Sequence, residues 1–189
     1  MEVIKPATNR TKLTFENYLN HDDGTDNHYE LVDGELLIMN PPTGLHALII
    51  RFLTQVIEAE ITKLSLPWLA LQNIGIRTAI NRSRLPDLLV ISREEIEEVL
   101  ENSAIVNSAH LAIEIVSSES KTRDYRFKRS EYSVVGIPEY WIVDPQQKKV
   151  AVLVLVEGFY EVNEYQETEK IVSPIFPNLD LTVTQILQA

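Results

Sequence analysis

The sequence predicts a mixed α/β fold: a central sheet of parallel and antiparallel strands with helices on its faces. Three observations lead there. Short apolar runs ("LPDLLVIS", "AHLAIEIVS", "PEYWIVDP") recur through the middle of the chain, in the manner of strands covered on both sides. Two other stretches carry apolar residues at helical spacing. The connections also differ in length. "NRSR" is short enough to imply antiparallel neighbours, whereas the segment after Val116 is long enough for a helical, parallel crossover.

Taken in order, "YELVDGELLIMN" (29–40) reads as a hairpin around Asp33-Gly34, a dipeptide suited to a tight turn. In "PPTGLHALIIRFLTQVIEAEITKL", Leu45, Leu48, Ile49, Phe52, Leu53, Val56 and Ile57 have helical spacing, with Thr43 or the prolines setting the start. "PWLALQNIGIRTAI" reads as a strand, "NRSR" as a loop and "LPDLLVIS" as the next strand. Residues 92–102, with five glutamates, read as an exposed acidic helix. "AHLAIEIVS" is a strand, "KTRDYRFKRSEYSVVG" a helix closed by Gly136, and "PEYWIVDP" a strand ended by Pro145. "KKVAVLVLVEGFYEVNEYQ" forms a second hairpin around Glu157-Gly158, and "LDLTVTQILQA" closes with a short helix. No repeat or long linker divides the 189 residues. The expectation is one domain over 1–189, with a core at about 29–145 and a hairpin extension at about 146–189.

Composition removes several classes of function. There is no cysteine, which excludes thiol catalysis, cysteine zinc sites and a disulfide framework. "MEVIKPATNRTKLTFENYLN" lacks the apolar core of a signal peptide, and no stretch approaches a membrane span. The expected location is the cytoplasm. A net charge of −11 opposes a general grip on nucleic acid. Charge is uneven, however: "KTRDYRFKR" (121–129) has five basic residues against one aspartate, and "RTAINRSR" (77–84) has three arginines. A local basic surface on an acidic body is therefore compatible with the sequence.

The chemistry centres on Glu114, an ionisable group inside the apolar run Leu111–Val116. An unpaired buried carboxylate costs several kcal/mol unless it is compensated. Asp87 follows Pro86 at the start of the preceding core strand. Adjacent strands lie about 5 Å apart, so the two carboxylates can converge on a hard divalent cation such as Mg²⁺. The alternative is a structural ion pair of Glu114 with Arg77, Arg123 or Lys128. Asp124, Lys128 and Tyr132 share a helical face by their i, i+4, i+8 spacing. They form either a solvated stripe or a face that points Lys128 at the carboxylates, where an ammonium stabilises developing phosphate charge.

Other conspicuous residues rank lower. His46 suits a phosphate contact or a base, although a lone histidine is more often structural. Trp68 and Trp141 are expected in the core, Tyr132 and Tyr140 as packing residues with a hydrogen-bonding end, and Asp144 in a turn. Gln72 is expected within reach of the Asp87 strand. The sequence has no glycine-rich phosphate loop, nucleophile elbow or His-x-x-x-His motif.

The order "LPDLLVIS", "AIEIVS", basic helix, "GIPEYWIVDP" resembles the PD-(D/E)XK nuclease superfamily. More closely it resembles the bacterial restriction endonuclease family of the Uma type. "YELVDGELLIMNPPTGLH" and "SSESKTRDYRFKRSEY" extend the likeness from about Tyr29 to the C-terminus. The resemblance implies a restriction-endonuclease-like core and Mg²⁺- or Mn²⁺-dependent hydrolysis of DNA phosphodiester bonds, with Asp87, Glu114 and Lys128 as the catalytic set. Asp87, Glu114 and the backbone carbonyl of Ile115 are the implied metal ligands, with Glu30 contacting the metal directly or through water. The superfamily lysine belongs two residues after the glutamate, where this chain has Val116. The resemblance moves that lysine to the next helix, at Lys128, with Lys121 as second choice. DNA is the implied substrate and a homodimer the implied unit, because cutting two strands needs two sites or two events. Val116 and the acidic charge also motivate another expectation: a catalytically inactive nuclease-fold module for nucleic-acid binding or protein assembly.

Overall fold

The computed structural model describes residues 12–189, and the expected mixed α/β class is the one observed. A short helix, α1 (Phe15–Leu19), precedes the hairpin of β1 (Tyr29–Val32) and β2 (Glu35–Ile38). Asp33 and Gly34 take φ of 51° and 83°, the doubly left-handed turn that matches strand twist. A Cβ on Gly34 would meet Lys12 Cβ at 2.8 Å. Gly34→Ala is therefore expected to lower stability by about 1–3 kcal/mol, read as a drop in the urea midpoint.

The long helix α2 (Gly44–Lys63) begins where the Thr43 hydroxyl accepts from the His46 N–H at 3.3 Å. Ile49, Leu53, Ile57 and Ile61 form its buried stripe. The next expectation needs correction. The stretch read as one strand is two, β3 (Trp68–Leu71) and β4 (Gly75–Ala79), in different sheets. Asn73 between them has φ 58°, a left-handed conformation that short polar side chains tolerate and strands do not. The supposed loop "NRSR" contains a strand, β5 (Arg82–Arg84), with Ser83 and Arg84 buried. Its side chains are polar, so apolar periodicity cannot reveal it.

Beyond it come β6 (Leu88–Ser92), α3 (Arg93–Glu97), β7 (Ile105–Val106) and β8 (Leu111–Ile115). The acidic helix stops at Glu97 rather than running to residue 102. Glu94, Glu97, Glu98 and Glu101 repel at i, i+3 and i+4, and they crowd the negative end of the helix dipole. A π-helical turn, Arg123–Lys128, runs directly into α4 (Arg129–Val134). The chain closes with β9 (Glu139–Asp144), β10 (Lys149–Val156), β11 (Phe159–Gln166) and α5 (Val183–Leu187).

The strands make two sheets, ordered β2-β1-β5-β4-β7 and β11-β10-β9-β8-β6-β3. β6 is antiparallel to β3 and β8, while β8 and β9 run parallel across the helical crossover. The N-terminal hairpin thus belongs to the five-stranded sheet, and the C-terminal hairpin extends the six-stranded one. On one face of the larger sheet, Leu88, Val90, Ile113 and Ile115 pack under α2 and α5. On the other, Leu89, Ile91, Ala112 and Val116 pack with Tyr132, Tyr140 and Ile76. Val116 is therefore part of an apolar cluster. Trp141 is fully buried, whereas Trp68 is half-buried and stacks on His110 with ring centroids 3.9 Å apart. No helix among the described residues is long and apolar enough to cross a membrane.

Candidate active site

Strand register assembles the site. β6 and β8 pair through Val90↔Leu111, Leu89↔Ala112 and Leu88↔Ile113, and the ladder ends there. One step further in the same register, Asp87 stands opposite Glu114, on the face that also carries Leu89 and Ala112. Asp87 Oδ2 accepts the Ile115 N–H at 2.7 Å, doing the work of the missing strand neighbour. Backbone N–H and C=O of one strand residue address the same side, so the Ile115 carbonyl is directed toward this end as well.

Glu114 is buried and bonded at both oxygens. The Tyr132 hydroxyl donates to Oε1 at 2.7 Å, and Lys128 Nζ lies 2.8 Å from Oε2. Lys128, itself 2% exposed, also lies 3.3 Å from Glu30 Oε1 and 3.6 Å from Asp124 Oδ1. Asp124, Lys128 and Tyr132 are all buried, so their shared face is not a solvated stripe. On the far side of Glu30, Arg84 Nη1 donates to Glu30 Oε2 at 2.8 Å. Arg84 Nε and Nη2 donate to Glu131 Oε2 and Oε1 at 2.7 and 2.6 Å. The series Glu131, Arg84, Glu30, Lys128, Glu114 ties β5 and β1 of the smaller sheet to β8 of the larger.

The electrostatics arise from this crowding. Burial alone would strip the proton from Lys128, but Glu114, Glu30 and Asp124 outweigh it and hold the ammonium charged. Burial pushes the Glu114 carboxyl well up. Lys128 opposes that shift, and Asp124, Asp87 and Glu30 add to it. Asp124 is raised by burial too, against relief from Lys128 and Ser120. Glu30 goes the other way: burial would raise it, yet Lys128 and Arg84 hold it below the usual glutamate value of 4.5. A depressed carboxyl stabilises the fold above its unfolded pKa, and that contribution is lost as pH falls through the folded one. Stability is therefore expected to decline below about pH 4.5, and Glu30→Gln to flatten that acid limb in urea titrations.

Three of the four side-chain atoms buried without a hydrogen-bond partner among the described residues surround this cluster: His46 Nε2, Asp124 Oδ1 and Arg123 Nε. His46, in the first turn of α2, places Nε2 2.9 Å from Asp87 Oδ1 without the alignment of a hydrogen bond. Other sequence expectations fall elsewhere. Arg77 lies over the Phe15 ring at 4.0 Å and is no partner of Glu114. The Gln72 amide donates to Thr54 Oγ1 at 3.0 Å, and Lys121 is exposed. Asp144, expected in a turn, is the buried last residue of β9; it caps the following turn by accepting from the Gln146 and Gln147 N–H groups, and it accepts from the Tyr125 hydroxyl at 3.1 Å. Tyr140 hydrogen-bonds the Asp124 carbonyl. Sequence reasoning missed Arg84 and Glu131, whose pairing spans 47 residues of chain.

Among the described residues, no group of three or more His, Asp or Glu side chains is arranged to hold a metal ion. Two carboxylates and a carbonyl remain, an all-oxygen set that suits a hard cation retaining several waters. Glu114 has one donor at each oxygen and keeps a second lone pair on both.

A solved structure, that of a "putative nuclease belonging to DUF820" from Anabaena variabilis, superposes with a TM-score of 0.77 at 19% identity, over 93% of this chain and 98% of that one. The fold is therefore of the nuclease-like α/β class. The chain belongs to the Uma2 family, described as "Putative restriction endonuclease", whose model matches residues 15–184. No curated protein matches it.

Proposed function

We propose that this protein is a Mg²⁺- or Mn²⁺-dependent endonuclease that hydrolyses DNA phosphodiester bonds, as a homodimer in the cytoplasm. The observation that carries the reading is Asp87 one step beyond the β6–β8 ladder, in register with Glu114 and bonded to the Ile115 N–H, with Lys128 on Glu114. Asp87, Glu114 and the Ile115 carbonyl would hold the cation; Glu30, expected to contact it directly or through water, has its oxygens engaged by Lys128, Arg84 and the Leu85 N–H and positions Lys128 instead. When bound, the cation neutralises phosphate charge and lowers the pKa of a water. Lys128 supplies a fixed positive charge beside the carboxylates. The Ile115 N–H holds the Asp87 carboxylate in place, and His46 Nε2 stands 2.9 Å from its other oxygen. The 23% exposure of the Asp87 side chain leaves an approach from solvent.

The test is cleavage of supercoiled and linear DNA with Mn²⁺, alongside calorimetric titration of Mn²⁺ in the absence of DNA. Asp87→Asn and Glu114→Gln are expected to lose more activity than the roughly 10–100-fold typical of outer-shell changes at metal sites, and to lose Mn²⁺ binding. Equal cleavage by the variants would sink the assignment. One observation favours a second reading, a non-catalytic nucleic-acid-binding module: both Glu114 oxygens already have donors within the chain. DNA binding by a protein that takes up no Mn²⁺ would select it. A monomer-mass species in sedimentation would count against the dimer.

A further inference from the structure

We infer that the cleft between β2 and the π-helical turn binds one unpaired base of a DNA strand, stacked on Phe127 with its phosphate against Arg123. The inference rests on the nuclease reading and deepens it, by naming the form of DNA the site takes.

The cleft encloses about 260 Å³ and is bounded by Leu36 and Leu37 on one side, Phe127 and Arg123 on the other. That is below the roughly 300–1,000 Å³ of pockets for drug-sized ligands, so it suits a single flat ring system. Phe127 leaves 51% of its surface to solvent, although its chain neighbour Lys128 is buried. An aromatic face beside cationic groups is the combination on which single-stranded nucleic acid stacks. Arg84 also lines the cleft, but its guanidinium is taken by Glu30 and Glu131. Arg123 is not: its Nε is buried with no hydrogen-bond partner, and it forms no ion pair among the described residues.

The surroundings agree in charge. Lys121 and Arg126 lie on the same segment, exposed and likewise outside the ion pairs of the described residues. Three free cations within six residues stand out on a protein of net charge −11. Glu35 is the one carboxylate on the rim. It accepts hydrogen bonds only, which favours an amino-bearing base edge and disfavours a second phosphate. A second cleft, lined by Tyr18, His21, His28 and Tyr29 among others, contains no lysine or arginine. Position completes the argument. Phe127 and Arg123, themselves i, i+4, lie on the same π-helical segment as Asp124 and Lys128 of the buried cluster.

A single-stranded oligonucleotide carrying 2-aminopurine, titrated in EDTA so that no cleavage occurs, tests this. The wild-type protein is expected to bind it and quench its fluorescence. Phe127→Ala and Phe127→Leu are expected to bind roughly 5- to 150-fold more weakly, the worth of one stacked base. Phe127→Trp should retain affinity, and Arg123→Ala should weaken binding and reduce its salt dependence. An oligonucleotide abasic at that position should bind wild type and Phe127→Ala alike. If Phe127→Leu binds as tightly as wild type, the stacking site is refuted, while Mn²⁺-dependent cleavage by the same preparation leaves the nuclease reading standing. If the wild type binds no oligonucleotide and cleaves no DNA, both fall together.

Discussion

Lys128→Met is expected to cost about 3–5 kcal/mol of folding stability, the usual penalty for removing one partner of a buried ion pair. Methionine keeps most of the volume and none of the charge, so the loss measures electrostatics rather than a cavity. What remains is Glu114, Glu30 and Asp124, which the ammonium had approached at 2.8, 3.3 and 3.6 Å. These groups escape repulsion only by taking up protons. The deficit should therefore shrink as pH is lowered toward 5, opposite to the acid sensitivity expected of the wild type through Glu30. Urea unfolding at several pH values reads both trends. Lys128→Met combined with Glu114→Gln should recover part of the loss, because the second change removes one uncompensated charge. Under the proposed function both variants lose hydrolysis, so recovered stability without recovered activity separates folding from chemistry. A single variant as stable as wild type at neutral pH would show that Lys128 is not the counter-ion of this cluster.

Arg84→Met is expected to cost a similar amount, about 3–5 kcal/mol, because one guanidinium serves two buried carboxylates. Its Nε and Nη2 grip Glu131 at 2.7 and 2.6 Å while Nη1 reaches Glu30 at 2.8 Å. Lysine cannot copy that fork, so Arg84→Lys should recover little. Arg84 and Lys128 share Glu30, so the double variant should deviate from additivity by about 0.5–3 kcal/mol. Strict additivity in denaturant melts would mean that the two cations act independently and that Glu30 does not couple them.

The acidic pair was legible because it violates a rule. An acid within the apolar run Leu111–Val116 contradicts burial, and only a few nearby groups can answer it. The hairpin at Asp33-Gly34 and the start of α2 at Thr43 were legible for local reasons, since turn and cap chemistry depend on adjacent residues. The break at Asn73 was not, because a polar pair such as Gln72-Asn73 is tolerated at the end of many strands. Nor was β5, whose Ser83 and Arg84 are buried through ion pairs and sheet contacts formed with distant segments. Glu30 stood out in the sequence only through family likeness, and the proximity of His46 to Asp87 had no local signature. The two-sheet arrangement depends on those same long-range pairings, which is why a single central sheet was the simpler expectation.

The π-helical turn at Arg123–Lys128 acts as a phase shifter. An α-helix advances about 100° per residue, and the wider turn resets the angular phase between its own first residues and α4. Lys128 at its end and Tyr132 in the regular helix beyond are i, i+4 neighbours, and they deliver their polar tips to the two oxygens of one carboxylate. Shortening the segment by one residue would leave composition and charge almost unchanged. It would nevertheless rotate Asp124 and Arg123 out of step with Lys128, which makes the length of this turn a constraint as strict as the identity of any side chain on it.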